Sequence, residues 1–257
     1  MKRVKLTIAY DGTNYCGWQI QPNGITVEEV LNKTISIVTG VATVVIGASR
    51  TDSGVHALGN VAVFDTESSI PADRMCHALN QKLPDDIVII KSEEVDLDFH
   101  PRYTKTEKTY EYHIINTRVP IPTQRWTNYF VSFPLDVESM RTASEYLIGE
   151  HDFASFCNIK TDVEDTVRTI YSIDIMTNDL DNYHQSEKDK QIVIRIRGNG
   201  FLYNMVRIII GTLVCVGRGF YQPEQLKEIL DAKCRTEAGV TAPPQGLFLV
   251  NINYKES

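Results

Sequence analysis

The chain has 257 residues and a mass of 29.1 kDa, the size of one large domain or of two ordinary ones. It is 42% hydrophobic and 23% charged, close to soluble globular averages, which disfavours bulk disorder, collagen-like repeats and a coiled-coil rod. The 26 Lys and Arg residues against 33 Asp and Glu residues give a net charge of −7. Taken alone, this charge argues against a partner with a dense phosphate backbone, although it does not exclude a local basic surface.

In the first half of the chain, hydrophobic periodicity predicts elements in the order βαββαβ. Residues Thr26-Val27-Glu28-Glu29 form a capping box at the start of the first helix, and Gly40 ends that helix. The predicted elements are a strand at 4–8, a helix at 26–38, strands at 41–48 and 60–64, a helix at 71–83 and a strand at 87–90.

The second half repeats this order with one added helix. The predicted elements are a strand at 109–116, a helix at 136–148, strands at 166–176 and 191–197, helices at 201–216 and 223–232, and a strand at 247–254. The matching order predicts an α+β protein made of two ferredoxin-like βαββαβ domains with antiparallel sheets, joined near residues 99–108. We place the domains at 1–104 and 105–257, with the first carrying the candidate catalytic loop described below.

The cysteines and the apolar segments point to a cytoplasmic protein. Five cysteines lie far apart, without a C-x-x-C pair or a histidine at metal spacing, as is typical of reduced thiols: Cys16, Cys76, Cys157, Cys215 and Cys234. The longest apolar stretch, from Met205 to Val216, contains Arg207 and is far shorter than the ~20 residues that span a bilayer. The N-terminus has no apolar signal region, so we expect no membrane partner.

Positive charge is concentrated in two segments although neither half of the chain is basic. Residues 192–223 contain no Asp or Glu, and residues 100–118 interleave cations with tyrosines. Such segregation permits a basic groove on an acidic body. The cations placed to line that groove are Lys105, Lys108, Arg195 and Arg197.

The segment from Ser49 to His56 carries the best candidate for chemistry. Asp52, on a short loop between two predicted strands, is placed to project into a cleft. Arg50 favours the ionised carboxylate, which keeps a nucleophile or base available. The same two residues also fit a structural role, an ion pair that braces a turn in which Gly54 supplies backbone freedom.

Two other features have alternative interpretations. The loop at 12–27 has no formal charge and presents Trp18 and Gln19, which either stack on and hydrogen-bond to bases or fold back onto the core. Arg207 lies among apolar residues, where an arginine requires a carboxylate partner, and Asp52 is a plausible one.

Other chemistries fit the sequence poorly. Ser49, Ser53 and His56 crowd around Asp52, but a Ser–His–Asp hydrolase draws its triad from separate parts of the chain, and no G-x-S-x-G elbow is present. The histidines are isolated and no H-E-x-x-H occurs, which argues against a metal. The glycine-containing runs match neither a P-loop nor a dinucleotide fingerprint.

A set of short motifs occurs in order along nearly the whole chain. They are Ala9-Tyr10-Asp11-Gly12-Thr13, Gly17-Trp18-Gln19, Arg50-Thr51-Asp52-Ser53-Gly54-Val55-His56-Ala57, Leu83-Pro84-Asp85-Asp86-Ile87, Phe99-His100-Pro101-Arg102, Lys108-Thr109-Tyr110-Glu111-Tyr112, His151-Asp152-Phe153, Asn204-Met205-Val206-Arg207 and Ala242-Pro243 with Gly246-Leu247. Each motif is weak alone, but together they closely resemble the tRNA pseudouridine synthase I family, of the TruA type.

The resemblance implies two ferredoxin-like domains around a central RNA-binding cleft, a homodimer, and no metal or cofactor. It implies isomerisation of uridine to pseudouridine at positions 38 to 40 of the tRNA anticodon stem-loop. A catalytically silent RNA-binding protein of the same fold is the alternative.

The resemblance also assigns roles to four residues. Asp52 is the catalytic nucleophile, Arg50 helps to displace and hold the target nucleotide, Tyr110 stacks on the flipped uracil, and Arg207 is the partner of the aspartate. Further RNA contacts are expected at Trp18, Gln19, Lys105, Lys108, Arg195 and Arg197. The sequence departs from the family pattern at Ser49, where Gly is frequent, and at Ser53, where Ala is usual.

Overall fold

The computed structural model describes residues 1–158, 165–180 and 189–254. They form two compact units. The first contains Met1–Thr106 and the segment from Phe248 onward, and the second contains Glu107–Leu247. Each unit combines helices with a mainly antiparallel sheet, so the protein is of mixed α and β structure.

The elements alternate along the chain. The first are β1 (Lys2–Tyr10), α1 (Val27–Thr39), β2 (Ile46–Gly47), β3 (His56–Thr66), α2 (Met75–Asn80) and β4 (Ile87–Val95). They are followed by β5 (Thr106–Asn116), β6 (Tyr129–Val131), α3 (Val137–Glu145), β7 (Gly149–Asp152), β8 (Val167–Asp179), β9 (Lys190–Gly198), α4 (Met205–Gly217), α5 (Gln225–Ala232) and β10 (Leu247–Tyr254).

In the first unit the strands lie in the order β4-β1-β3-β10, and β2 pairs with β3. Strand β1 is antiparallel to both of its neighbours, whereas β10 is parallel to β3, with Phe248 opposite His56. Alternate residues of β1 are buried, as the sequence pattern predicts for a strand with one face on the core. The fully buried residues of β1 and α1 are Val4, Leu6, Ile8, Val27, Leu31 and Ile35.

Helix α1 begins and ends where its capping residues predict. Thr26 is the N-cap, and its hydroxyl oxygen accepts a hydrogen bond from the backbone N–H of Glu29 at 3.3 Å. Gly40 closes the helix in the left-handed region, at φ 74°, and its N–H donates to the carbonyl oxygen of Ser36. The predicted helix at 26–38 is thus present, one residue displaced.

The strand predicted at 41–48 is mostly absent, since only Ile46–Gly47 pairs with β3. Side chains of α1 accept hydrogen bonds from the backbone that precedes β2. Asn32 Oδ1 accepts from the N–H of Val45 at 2.8 Å, and Ser36 Oγ accepts from the N–H of Thr43 at 2.9 Å. These amides therefore bond to the helix instead of to a neighbouring strand, and the β-branched run Val41 to Val45 follows the end of α1.

In the second unit the strands lie in the order β5-β9-β8-β7, and β6 pairs with β5 in parallel. Helix α4 starts later than the predicted helix at 201–216, because Asn204 lies in the left-handed region at φ 62° and interrupts the helix there. Although α4 is mostly buried, no helix in the described ranges has the length and apolar content to cross a membrane.

The last strand was predicted at 247–254, and β10 occupies Leu247–Tyr254. From Phe248 onward the chain groups with the first unit. The division between Thr106 and Glu107 lies within the predicted junction at 99–108. The domain bounds 1–104 and 105–257 stay a prediction.

We expect Asn32→Ala to lower the free energy of unfolding by about 1 kcal/mol, because the N–H of Val45 loses its acceptor. Amide hydrogen exchange at Val45 should also become faster. Asn32→Asp keeps an acceptor oxygen and serves as the control. Urea unfolding and exchange measured by NMR test this, and equal exchange rates in Asn32→Ala and wild type would contradict it.

Candidate active site

The loop that carries Asp52 connects β2 to β3 and alternates between buried and exposed residues. Ser49, Thr51 and Val55 are buried, whereas Arg50 is exposed and Asp52 is partly exposed. The loop backbone is therefore set into the unit, with a carboxylate and a guanidinium presented outwards. This is the arrangement expected of a functional loop on a rigid scaffold.

Backbone contacts hold this loop against the segment that follows β1. The N–H of Trp18 donates to the carbonyl oxygen of Thr51 at 3.0 Å, and Ser53 Oγ donates to the carbonyl oxygen of Tyr15 at 3.2 Å. At Gly17, which has φ +85°, a Cβ atom would lie 2.6 Å from the carbonyl oxygen of Thr51. Only glycine permits so close an approach of the two backbones.

The start of the same segment, at Gly12, also lies close to the loop. At Gly12 a Cβ atom would lie 2.0 Å from the carbonyl oxygen of Val55. Gly54, at φ 76°, supplies the left-handed turn between the two contacts, and its N–H donates to the carbonyl oxygen of Tyr15 at 3.4 Å. The loop thus fits between two glycines of the preceding segment.

A buried polar network lies beneath the loop. The Tyr10 hydroxyl and Thr51 Oγ1 are 2.7 Å apart, and Asn60 Nδ2 donates to the Tyr10 hydroxyl at 3.2 Å and to the carbonyl oxygen of Ser49 at 3.1 Å. Asn60 Oδ1 accepts from the N–H of Val61 at 2.9 Å. Since Asn60 is fully buried, its amide group replaces the water that this backbone would otherwise require. The network holds both residues that flank Arg50.

His56 closes the loop and is a buried structural residue. Its ring stacks on Phe248 with centroids 4.7 Å apart, and its Nδ1 lies 3.1 Å from Asp11 Oδ1 and from the N–H of Gly12. Burial raises the pKa of the Asp11 carboxyl, but hydrogen bonds from Thr13 and the neighbouring His56 ring outweigh it, so this pKa lies below its ordinary value. His56 Nδ1 is thus in contact with Asp11 and Gly12, and Ser53 Oγ is bonded to the backbone of Tyr15.

Trp18 folds back onto the core, so the expectation that its ring is presented to RNA is wrong. The side chain is fully buried, with its ring 6.0 Å from that of Tyr10. A Cβ atom on Gly47 would lie 2.3 Å from Trp18 Nε1, which shows how closely the indole covers β2. Gln19 is exposed and stays a candidate contact.

Of the four residues to which the family resemblance assigns roles, Tyr110 and Arg207 belong to the second unit. Tyr110 on β5 is 7% exposed and packs edge-to-face on Phe201, with ring centroids 5.2 Å apart. Arg207 on α4 is held by its own unit, where its Nε donates to the carbonyl oxygen of Ala242 and its Nη1 to Asn204 Oδ1, both at 2.8 Å. The pairing of Arg207 with Asp52 stays a prediction.

The four cations expected to line a groove differ in their surroundings. Lys105 is exposed and Lys108 is partly exposed. Arg195 and Arg197, also exposed, pair across the sheet with the glutamates of β5, since Arg195 Nε lies 2.8 Å from Glu111 and Arg197 Nη1 lies 3.4 Å from Glu107. These glutamates partly neutralise the positive charge of the two arginines. The sequence shows Glu107 and Glu111 among the cations of 100–118, but not that they face Arg195 and Arg197 on the neighbouring strand.

Asn60, Tyr10 and Asp11 support the loop but were not predicted as site residues. Tyr10 and Asp11 lie in the motif Ala9-Tyr10-Asp11-Gly12-Thr13, and the signal at Asn60 is an amide at the start of an apolar alternating strand. No group of three or more His, Cys, Asp or Glu side chains within residues 1–158, 165–180 and 189–254 is placed to hold a metal ion. The charged groups that the loop presents outwards are the carboxylate of Asp52 and the guanidinium of Arg50.

Comparison with known proteins identifies relatives over nearly the full length. A family model described as tRNA pseudouridine synthase matches residues 6–104 and 143–255. A tRNA pseudouridine synthase A of Thermoanaerobacter sp. (strain X514) is 48% identical over 255 residues, covering 99% of this chain and 100% of the relative. That of Exiguobacterium sp. (strain ATCC BAA-1283 / AT1b) is 46% identical over 256 residues, covering 100% of this chain and 99% of the relative.

We expect Gly17→Ala to destabilise the protein much more than Gly40→Ala, although both glycines have positive φ. Gly40 has open space around it, so its substitution costs only the left-handed conformation, about 1 kcal/mol. Gly17→Ala adds a collision with the backbone of the Asp52 loop, for a total of about 3 kcal/mol or more. Urea unfolding measures both, and equal losses would show that the two backbones separate easily.

Proposed function

Because the chain belongs to the tRNA pseudouridine synthase family, we propose that it isomerises uridine at positions 38 to 40 of the tRNA anticodon stem-loop, with Asp52 as nucleophile. The isomerisation of tRNA uridine follows from the family. The assignment of the nucleophile is supported by one observation, a partly exposed carboxylate on a loop whose backbone is fixed on both sides.

The reaction exchanges one bond of the nucleotide for another. In the nucleophilic route at C1′, an Asp52 carboxylate oxygen bonds to C1′ as the N1–C1′ bond breaks and leaves its electron pair on uracil. The ring turns within the site, and C5 then bonds to C1′ as the bond to the Asp52 oxygen breaks. The proton on C5 then leaves, and N1 gains one. A carboxylate that attacks a nucleotide has to be held still, because an effective nucleophile requires a near-attack geometry. The Gly12 and Gly17 contacts and the Asn60 network supply that rigidity.

The target uridine has to leave its stack before its sugar or its ring can be reached, at a cost of a few kcal/mol. We assign this step to Tyr110, which stacks on the extruded uracil, and to Arg50, which displaces and holds the nucleotide. The ring of Tyr110 is fixed by Phe201, so its orientation does not have to be ordered on binding. Arg207 is the proposed partner of Asp52, and Tyr110 or a water molecule accepts the C5 proton.

We also propose that both units derive from ferredoxin-like βαββαβ modules. In the first unit the strand order β4-β1-β3-β2 and the element order βαββαβ support this. We further propose that the protein is cytoplasmic, acts as a homodimer and needs no cofactor. The five cysteines, all in the described ranges, form no disulfide, in keeping with a reducing compartment.

Asp52→Asn should abolish turnover while tRNA binding is retained, because the amide keeps the size of the side chain but is a poor nucleophile. A tRNA transcript labelled with tritium at uridine C5 releases the label when C5 bonds to the sugar. We expect release to fall more than about a thousandfold. Transcripts with cytidine at positions 38 to 40 should release nothing.

Asp96→Asn, an exposed carboxylate of the same unit, is the matched control and should turn over like wild type. Persistent release by Asp52→Asn would refute the nucleophile. If wild type binds tRNA but releases no tritium, the chain is the silent RNA-binding protein.

Tyr110→Phe keeps the ring that stacks on uracil but loses the hydroxyl proposed to take the C5 proton. We expect the Kd for tRNA to stay within about twofold, since stacking depends on the ring, and turnover to slow by about tenfold or more. Tyr110→Leu should weaken both. Single-turnover tritium release and filter binding separate the two effects, and unchanged turnover in Tyr110→Phe would remove the hydroxyl from the mechanism.

A further inference from the structure

Tyr103 is the most exposed of the large hydrophobic side chains in the described residues, at 84%. It is nevertheless ordered by a neighbour, because its ring stacks on the imidazole of His100 with centroids 4.1 Å apart and an interplanar angle of 22°. One face of the phenol ring thus rests on His100, and the other is open to solvent. An aromatic ring that is fixed in place and left exposed has the form of a stacking surface.

The backbone around these two rings forms a fixed turn. The N–H of Arg102 donates to His100 Nδ1 at 3.1 Å, and the carbonyl oxygen of His100 accepts from the N–H of Thr104 at 3.3 Å and from its hydroxyl at 3.0 Å. The ring pair is therefore arranged before any partner binds. Such preorganisation reduces the conformational entropy that binding costs.

The turn is anchored to the sheet of the first unit on both sides. Arg3 Nη1 donates to the carbonyl oxygen of Phe99 at 2.9 Å, and the Tyr254 hydroxyl donates to that of Pro101 at 3.1 Å. Arg102 Nε donates at 2.6 Å to the carbonyl oxygen of Gly47, the last residue of β2 before the Asp52 loop. The exposed ring is thus tied to the strand that leads into the catalytic loop.

The charge around the turn indicates the kind of partner. Residues 99–106 contain Arg102 and Lys105 and lie between Asp98 and Glu107, on a chain whose net charge is −7. Lys105 is exposed, two residues from the ring. A flat, exposed aromatic face with an exposed lysine two residues away matches a nucleobase with its phosphate.

We propose that Tyr103, supported by His100, is a stacking platform for an unpaired nucleobase of the tRNA other than the target uridine, and that Lys105 contacts the adjoining phosphate. The proposal rests on the proposed function, which supplies the RNA. It assigns to the turn at 99–106 a share of tRNA affinity that is separate from the chemistry at Asp52. Because every base has a stacking face, the platform holds the tRNA without selecting a sequence.

Tyr103→Ala should raise the Kd for an unmodified tRNA transcript by about 5- to 100-fold, the range found for the loss of one base–aromatic stack. Tyr103→Phe should stay within about twofold of wild type. At saturating tRNA the kcat for tritium release should be unchanged in Tyr103→Ala, so that only KM rises. Phe133→Ala, which removes a ring 57% exposed in the second unit, is the control and should leave KM unchanged.

The salt dependence of the Kd for tRNA separates the contribution of the Tyr103 ring from that of the Lys105 charge. Tyr103→Ala should leave the slope of log Kd against log salt concentration unchanged, whereas Lys105→Ala should reduce its magnitude by about one, because one phosphate contact is lost. If Tyr103 had only a structural role, the two variants would not differ in this way in their salt slopes.

Photocrosslinking identifies the partner directly. With p-azidophenylalanine at position 103, irradiation should attach the protein to an unpaired nucleotide of the tRNA. Attachment to a second copy of the chain, or to neither, would overturn the proposal, as would a wild-type KM in Tyr103→Ala. If wild type releases no tritium at all, the proposed function fails instead, and the crosslink still reports whether the platform binds RNA.

Discussion

The close contact between the backbone of residues 12–17 and the Asp52 loop is the constraint on which the site depends. No side chain fits between them at Gly12 or Gly17, so the loop has one position along the segment that follows β1. The buried polar network can form only in that position, because Asn60 has to reach the carbonyl oxygen of Ser49 while it contacts Tyr10. A carboxylate on a loop thereby gains the fixed geometry of a side chain on a strand.

Local signals predicted the parts of the fold that depend on local chemistry. Thr26 and Gly40 set the ends of α1 within one residue, because caps act through neighbouring backbone groups. The run Val41 to Val45 was predicted as a strand from its β-branched residues, yet its amides bond to Asn32 and Ser36. Whether an N–H bonds to a helix side chain or to a neighbouring strand depends on tertiary contacts. Hydrophobic periodicity in the sequence does not indicate which of the two it chooses.

The candidate site was predictable as a motif but not as a structure. Asp52 and Arg50 were identified by their loop, whereas Asn60 contributes through two contacts to residues distant in sequence. Trp18 shows the converse, an aromatic residue in an uncharged loop that supports β2 from the interior. Charge had the same limit, since Arg195 and Arg197 are matched by glutamates on an adjacent strand. Neither the net charge of −7 nor the spacing of the cations shows this pairing.

The parallel pairing of β10 with β3 has a consequence for how the protein folds. His56 and Phe248 stack on each other, yet the whole second unit lies between them in sequence. During synthesis the first unit emerges early but cannot complete its sheet until residues 248–254 have been translated. Until then one edge of β3 beside the Asp52 loop is open, and an open edge is prone to wrong pairing. The pairing of β3 with β10, at the end of the Asp52 loop, therefore forms only after the second unit has been translated.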